Sequence, residues 1–328
     1  MKTTIYDVAN KAGVSIATVS KVINNNGKLR QSTREKVLET MEALNYMPSM
    51  MASALTGKKT EILGLLVPDI SNPFFSEMAR IIEDRANDLG MSLIICSTDD
   101  SVEKEQKYLE LLRRKQVDGF IIASPLRTKE SLKFLHEEKI PIVLLTQDDP
   151  ELGCPSVSVD DFKGGYEATS FLASKGFKDI VIFAEHAHSS KMRIVGYKEA
   201  LETHGIEASK TSIYRMTGII ENGYELMKQL IESNRIPEAV FACNDLISMG
   251  VIQAAREKGV SIPDELALVG FDDTILAKTT VPALTTIAQP IQEMGKRVVD
   301  VINEEIKEGI RIEERILYNP KLIIRDTV

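Results

Sequence analysis

Residues able to hold a small polar molecule recur just beyond short apolar runs. In SSKMRIVGY, Arg193 falls in the first turns of a helix that follows a strand. Asn244 and Asp245 close the run AVFAC, and Asp272 and Asp273 follow LALVGF. Phe74 and Phe75 stand at a helix start in SNPFF, after ILGLLVPDI. Ligands of open parallel sheets bind beyond the carboxyl ends of strands, so these positions form a candidate site. Asp245 and Asp273 read better as helix caps. His186 and His188 form a His-x-His that one extended strand could turn toward a metal. No third ligand accompanies them, and hydrogen bonding in a cleft, to an acidic sugar for example, suits them better. Cys96, Cys154 and Cys243 are odd in number and far apart, and read as idle buried thiols rather than metal or redox groups.

Polar residues near the N-terminus suggest a second kind of contact. Ile5, Val8, Ala9 and Ala12 lie at i, i+3, i+4 and i+7, one face of a helix. Gly13 supplies a turn, and Ser15 can cap a second helix over 16–23. Its Val19, Val22 and Ile23 point inward, whereas Ile16, Ala17, Ser20 and Lys21 point outward. STRE at 32–35 reads as a capping box for a third helix burying Val37, Leu38, Met41 and Leu44. Two short helices joined by a glycine turn form a helix-turn-helix, whose second helix can enter a major groove.

From Glu61 onward the pattern changes. The apolar runs ILGLLV, SLIICS, GFIIAS, IPIVLL, DIVIFA, AVFAC and LALVGF alternate with amphipathic stretches at 73–89, 101–115, 189–204, 220–233 and 245–258. Short apolar strands between helices predict parallel sheets covered on both faces. They fall into two sets, before and after about residue 160. Two lobes facing each other make a cleft that can close by hinge motion.

Composition is consistent with this division. The 328 residues suit two or three domains, and 43% are hydrophobic, enough for sizeable cores. The net charge of −8 is unevenly spread: residues 1–60 hold nine basic and four acidic side chains, and the remainder 31 and 44. A basic head on an acidic body fits a chain that meets phosphate at one end. No apolar run is long enough for a membrane span, and the first residues lack a signal peptide's apolar stretch, so a cytoplasmic protein is expected.

The segments DVANKAGVS, ATVSKVIN, STREKVLETMEALNYMP and ASALTGKKT each resemble the head of LacI/GalR-family transcriptional regulators, and the resemblance continues along nearly the whole chain. It implies an all-α helix-turn-helix domain over 1–47, a hinge helix and linker over 48–60, and a periplasmic-binding-protein-like α/β body over 61–328. Within the body, lobe 1 spans about 61–159 and 289–318, and lobe 2 about 160–288 and 319–328. Ile16, Ala17 and Lys21 would then touch bases, Lys21 donating to guanine O6 or N7. Thr4, Ser15, Thr18, Ser20, Asn24 and Thr33 are expected phosphate or sugar contacts. The segment from Ser49 to Leu55 is too short to be a stable helix alone. In the family it pairs with a partner's copy on DNA, Ala52 and Leu55 entering the minor groove and Leu55 wedging between base pairs. Paired insertion implies a homodimer and a near-palindromic operator. The C-terminus lacks the extra helix of the family's tetramers, which favours the dimer.

By the same resemblance, Arg193, Asn244 and Asp272 bind effector hydroxyls and Phe74 and Phe75 stack on a sugar or purine ring. Departures are visible: an aspartate of several relatives is Thr146 here, with Gln147 beside it, and an aromatic or apolar position after TTIAQP is Ile291. The expected function is a repressor of a carbohydrate-utilisation operon switched by a small-molecule effector, without a cofactor. Within the family, a phosphocarrier-dependent catabolite regulator and a purine-responsive corepressor-type regulator remain alternatives; QPIQEMGKRVVDVINEEIKEG shows no docking signature for a phosphocarrier protein. An enzyme is disfavoured because no Gly-x-Gly-x-x-Gly, Walker or Gly-x-Ser-x-Gly motif follows any strand. A transport-associated binding protein would need export and would lack the head.

Overall fold

A computed structural model describes residues 3–23, 29–46, 59–126, 128, 131, 140–149, 152–207, 213–310 and 312–328. The chain divides into two units, Met1–Thr60 and Glu61–Val328.

The first unit contains α1 (Ile5–Ala12), α2 (Ile16–Ile23) and α3 (Gln31–Ala43). Asp7 fixes the start of α1, accepting from the Thr4 amide at 2.8 Å and the Thr4 hydroxyl at 2.7 Å. Gly13 ends α1 at φ 64, a left-handed conformation that glycine adopts without penalty. Ser15 starts α2 as expected, its Oγ accepting from the Thr18 amide at 3.2 Å. The core joins Val8, Ala9, Ala12, Val19, Val22 and Val37, with Ile23, Met41 and Leu44 packed against it.

Two sequence expectations for α3 need correction. The helix starts at Gln31 with Arg30 as its N-cap and no side-chain cap, so Ser32 lies inside it and the STRE capping box does not form. The Arg30 carbonyl already accepts from Thr33 and Arg34, which sets the first turn two residues early. Leu38 is 48% exposed. Val37, Met41 and Leu44 complete the inward stripe at i, i+4 and i+7, and Leu38 lies about 100° around the helix from Val37.

The second unit begins with β1 (Ile62–Val67), α4 (Pro73–Asp88), β2 (Ser92–Ser97), α5 (Val102–Arg114), β3 (Gly119–Ile122), β4 (Ile142–Leu145) and β5 (Ser156–Val159). It continues through α6 (Asp161–Ser174), β6 (Ile180–Glu185), α7 (His188–Thr203), β7 (Ile213–Met216), α8 (Ile220–Glu232), β8 (Ala239–Ala242) and α9 (Asp245–Lys258). The last elements are β9 (Ala267–Asp272), α10 (Ile275–Thr279), β10 (Thr285–Ala288), α11 (Ile291–Glu308), β11 (Arg315–Tyr318) and β12 (Lys321–Ile323).

Two six-stranded sheets result, ordered β11-β5-β4-β3-β1-β2 and β12-β10-β9-β8-β6-β7. The orders are equivalent, so the lobes repeat one doubly wound plan. In each, the direction of strand progression reverses once, between β1 and β3 and between β6 and β8. Every described strand pairing is parallel except that of β10 with β12. The chain passes between the sheets three times, after β5, β10 and β11.

Apolar residues bury both faces of each sheet. Leu63, Leu65, Ile121 and Val143 pack with α4 and α11 on one face of the first, and Leu66, Phe120, Ile122 and Leu144 with α5 on the other. Burying each large side chain favours folding by about 1.5–3 kcal/mol. In the second lobe, α6 and α7 pack on Ile180, Ile182 and Phe241, and α8 and α9 on Phe183, Val240 and Leu268. Helices α6 and α7 cross closely: a Cβ on Gly165 would lie 2.8 Å from the Arg193 Cα. One on Gly196 would lie 2.6 Å from the Tyr166 nitrogen.

Candidate functional site

The reversal between β6 and β8 places the ends of these strands beside a crevice, the usual ligand position in open parallel sheets. Glu185 ends β6, Cys243 and Asn244 follow β8, Asp272 ends β9 and Gln289 follows β10. Arg193 reaches this group from the second turn of α7 and is 4% exposed. Its Nε donates to Asp161 Oδ1 at 2.8 Å and its Nη1 to the Cys243 carbonyl. The guanidinium carbon lies 3.6 Å from the Phe271 ring centroid, a cation–π contact. Burial opposes the charged form of Arg193. Asp161, Asp272, Cys243 and Glu185 outweigh it and hold its pKa above the usual arginine value.

Asp272 is 5% exposed and accepts from Gln289 Nε2 at 2.8 Å. Its backbone sits at φ 110, a conformation that L residues rarely adopt. Burial raises its carboxyl well above the ordinary range; Arg193 opposes the rise, and Asp245 and Glu185 add to it. The structure thus brings Arg193 and Asp272 close together at these strand ends.

Asn244 joins them, but with its hydrogen-bonding groups engaged. Its Oδ1 accepts from the Ile247 amide at 2.7 Å, which makes it the N-cap of α9. Its Nδ2 donates to Glu185 Oε1 and to the Gly218 carbonyl, the latter at 3.1 Å. The expected capping role of Asp245 is therefore corrected. Asp245 is 1% exposed and accepts from the Thr274 amide and hydroxyl, both at 2.8 Å, and from the Thr286 hydroxyl at 3.0 Å. Burial pushes its carboxyl up to about 7. Asp273 caps no helix either, since Thr274 precedes α10; it pairs with Arg325 and lies 3.8 Å from Lys278.

Glu185 was not singled out in the sequence beside the His-x-His. Its carboxylate accepts from Asn244, and burial raises its pKa. The strand ends at Glu185, and His188 opens α7, so His186 and His188 do not share an extended strand. The three cysteines are buried and free, and burial pushes Cys243 up to about 12, which suppresses thiolate chemistry.

In the first lobe, Asn72 caps α4 by accepting from the Phe74 amide at 3.0 Å. Phe74 is 4% exposed within the apolar core, so the stacking role read for it gives way to packing. Phe75 is partly buried, its ring 5.1 Å from that of Phe74 and nearly perpendicular. Thr146 follows β4 at φ 60, a costly conformation for a β-branched residue, and its amide donates to the Val157 carbonyl at 2.9 Å. Gln147 donates to the Ile122 and Ser124 carbonyls at 3.1 and 2.9 Å. An open crevice of about 570 Å³ is lined by Glu77 and Arg80 of α4, by Asp273 and Lys278, and by residues 289–293. It includes Ile291 and meets the polar cluster at Gln289. Nearby, Glu77 accepts from the Ile275 amide at 3.0 Å and so ties α4 of one lobe to α10 of the other.

In the head, Ile16, Ala17 and Lys21 lie exposed on one side of α2, and Ser20 and Thr33 are partly exposed. Thr4, Ser15 and Thr18 sit at helix starts, with the Ser15 and Thr18 hydroxyls 2.9 Å apart. Asn24, Ala52 and Leu55, and with them the hinge segment, lie outside the described residues.

Comparison with known proteins adds independent support. The family of bacterial regulatory proteins, lacI family, matches residues 4–49. That of periplasmic binding proteins and sugar binding domain of LacI family matches residues 60–325. The regulator DegA of Bacillus subtilis is 43% identical over 330 residues, covering 99% of this chain and 98% of that one. A lac repressor dimer bound to operator and an anti-inducer superposes with a TM-score of 0.88 at 26% identity, covering 100% and 99% of the two chains. A LacI-family regulator of Enterococcus faecium with bound ribose superposes at 0.76 and 31% identity, covering 81% of this chain and 98% of that one. No helix among the described residues is long and apolar enough to cross a membrane. With its helix-turn-helix head and effector-binding body, the chain belongs to the LacI family of DNA-binding transcriptional regulators.

Proposed function

We propose that the chain is a homodimeric repressor of a carbohydrate-utilisation operon, released from or held on its operator by a small-molecule effector between the lobes. The observation that carries this reading is the convergence of Arg193 and Asp272, with Asn244 and Glu185, at the β6/β8 reversal. A cation and carboxylates gathered at these strand ends suit a ligand recognised through several directed hydrogen bonds. The bound ribose of the Enterococcus faecium relative supports a sugar.

On DNA, Lys21 donates to a guanine in the major groove while Ile16 and Ala17 pack on base edges. The capped starts of α1 and α2 direct their amides, with Thr4, Ser15 and Thr18, at phosphates, and Ser20, Asn24 and Thr33 add contacts that set register. Ala52 and Leu55 of two paired hinge segments enter the minor groove of a near-palindromic site. Effector favours one arrangement of lobes, and the three strand-to-strand passages carry the change to the chain leading to the hinge. Coupling of this kind is typically about 1–3 kcal/mol. The test is a thermal-shift screen of sugars, sugar derivatives and nucleobases, followed by gel shifts on promoter fragments with each hit. A hit that stabilises the protein and changes operator affinity supports the reading. A screen with no hit in any class refutes it.

A further inference from the structure

Glu185 gives the effector site a charge balance that the other polar groups do not explain. One cation, Arg193, faces three carboxylates: Asp161, Asp272 and Glu185. Asp161 is hydrogen-bonded to that cation at 2.8 Å, which leaves Glu185 and Asp272 in excess. Burial raises both of their carboxyls against the opposing charge of Arg193, and a further cation beside them would favour their charged forms.

The hydrogen-bonding capacity is skewed in the same direction. Both protons of Asn244 Nδ2 are used, on Glu185 and the Gly218 carbonyl, so this amide has no donor left for a ligand. Gln289, 8% exposed, donates to Asp272, yet its Oε1 is buried without a hydrogen-bond partner among the described residues. An orphaned acceptor of this kind is costly unless a ligand supplies a donor. The site thus offers acceptors at Gln289, Asp272 and Glu185, with negative charge to balance.

Gly218 shows that the position of Glu185 is built in. A side chain there would collide with the Glu185 carboxylate and would come within 2.7 Å of Asn244 Nδ2. The absence of a side chain at Gly218 leaves room for the Glu185 carboxylate, which Asn244 holds through its Nδ2.

We infer that Glu185, with Asp272 and Gln289 Oε1, selects an effector that carries a protonated amine, such as an amino sugar, over neutral or anionic counterparts. This inference rests on the reading of the crevice as the effector site. An ammonium brings the missing charge and several N–H donors at once, whereas a carboxylate or phosphate adds to the excess and finds no donor on Asn244.

The experiment uses the full chain and a screen matched for shape. For gluco, galacto and manno scaffolds, the neutral sugar, the 2-amino sugar and the uronic acid are each titrated by calorimetry, and methylamine-bearing polyols are added as a fourth class. The expected result is that the tightest ligand carries an amine and binds about tenfold or more tightly than its neutral match, the scale of one charged hydrogen bond. Glu185→Gln should bring that ratio close to one while the neutral match is affected less. Because the ranking is read in the wild-type protein, it holds even if the variant folds poorly. A neutral or acidic ligand that binds more tightly than its amine match, with binding lost in Arg193→Met, overturns the inference and leaves the effector site standing. Binding by no member of any class overturns both.

Discussion

Gly196→Ala tests whether the close crossing of α6 and α7 sets the position of Arg193. A Cβ at this site would approach the Tyr166 nitrogen to 2.6 Å and the Phe162 carbonyl oxygen more closely still, where real contacts stay above 3.0 Å. Backbone lies on both sides, so no rotamer change relieves the clash. The helices must separate by about 0.5–1 Å, an overpacking that costs on the order of 3 kcal/mol. For a body of this size that lowers the melting temperature by about 6–12 °C. Asp161 starts α6 and Arg193 lies on α7, so the separation also stretches their 2.8 Å hydrogen bond. Weaker effector binding should accompany the loss of stability. Differential scanning fluorimetry compares this variant with Lys198→Ala, a change at an exposed position of the same helix. A Gly196→Ala protein that melts with the wild type and binds effector equally well would refute the reasoning.

Asp245 makes a pH-dependent contribution. Its folded-state pKa of about 7 lies above the value near 4 of an unfolded aspartate, so its stabilising contribution is full below about pH 4 and is lost as pH rises through about 7. Urea melts should show wild type losing on the order of 2 kcal/mol relative to Asp245→Asn between pH 5 and pH 8; parallel profiles would contradict this. Glu77→Ala removes the hydrogen bond from the Ile275 amide and should change effector affinity severalfold without altering the melting of the head; an unchanged calorimetric affinity would remove it from the switch. Lys21→Ala should weaken discrimination at one operator base pair by about 1–3 kcal/mol in competition gel shifts. Leu55→Ala should weaken specific operator binding, and equal affinity would reject the wedge.

The fold was legible wherever burial left a strong pattern. Strands such as Ile62–Val67 and Ala267–Asp272 are buried along almost their whole length, and their apolar runs stand out. Strand Ile213–Met216 lies at a sheet edge with two exposed residues, and Ser156–Val159 alternates serine with valine, so neither forms an apolar run. Helix Asp161–Ser174 was hidden by Gly164 and Gly165, residues of low helix propensity. Gly165 is what allows α7 to approach, so tertiary packing outweighed local preference there.

The site was partly legible for the same reason. Arg193 and Asp272 follow recognisable strand ends, and their resemblance to family positions brought them forward. Glu185 was missed because strand alternation was extended through His186, whereas the strand stops at Glu185 and the chain turns into α7. An acidic residue directly at a strand's carboxyl end was the available signal. The engagement of Asn244 by its own helix and by Glu185 depends on three segments far apart in sequence, which no local pattern encodes. The cap of α1 had a signal that went unread, since Thr4 and Asp7 have the spacing of a capping box.

Fluorescence anisotropy of the full chain on a labelled promoter fragment, with and without saturating effector from the screen, tests the central claim most directly. Occupancy of the crevice should change wild-type operator affinity about fivefold or more, whereas Asp272→Asn should bind the same DNA and ignore the effector. Wild-type affinity that stays constant at saturation, or a full response from Asp272→Asn, would contradict the account.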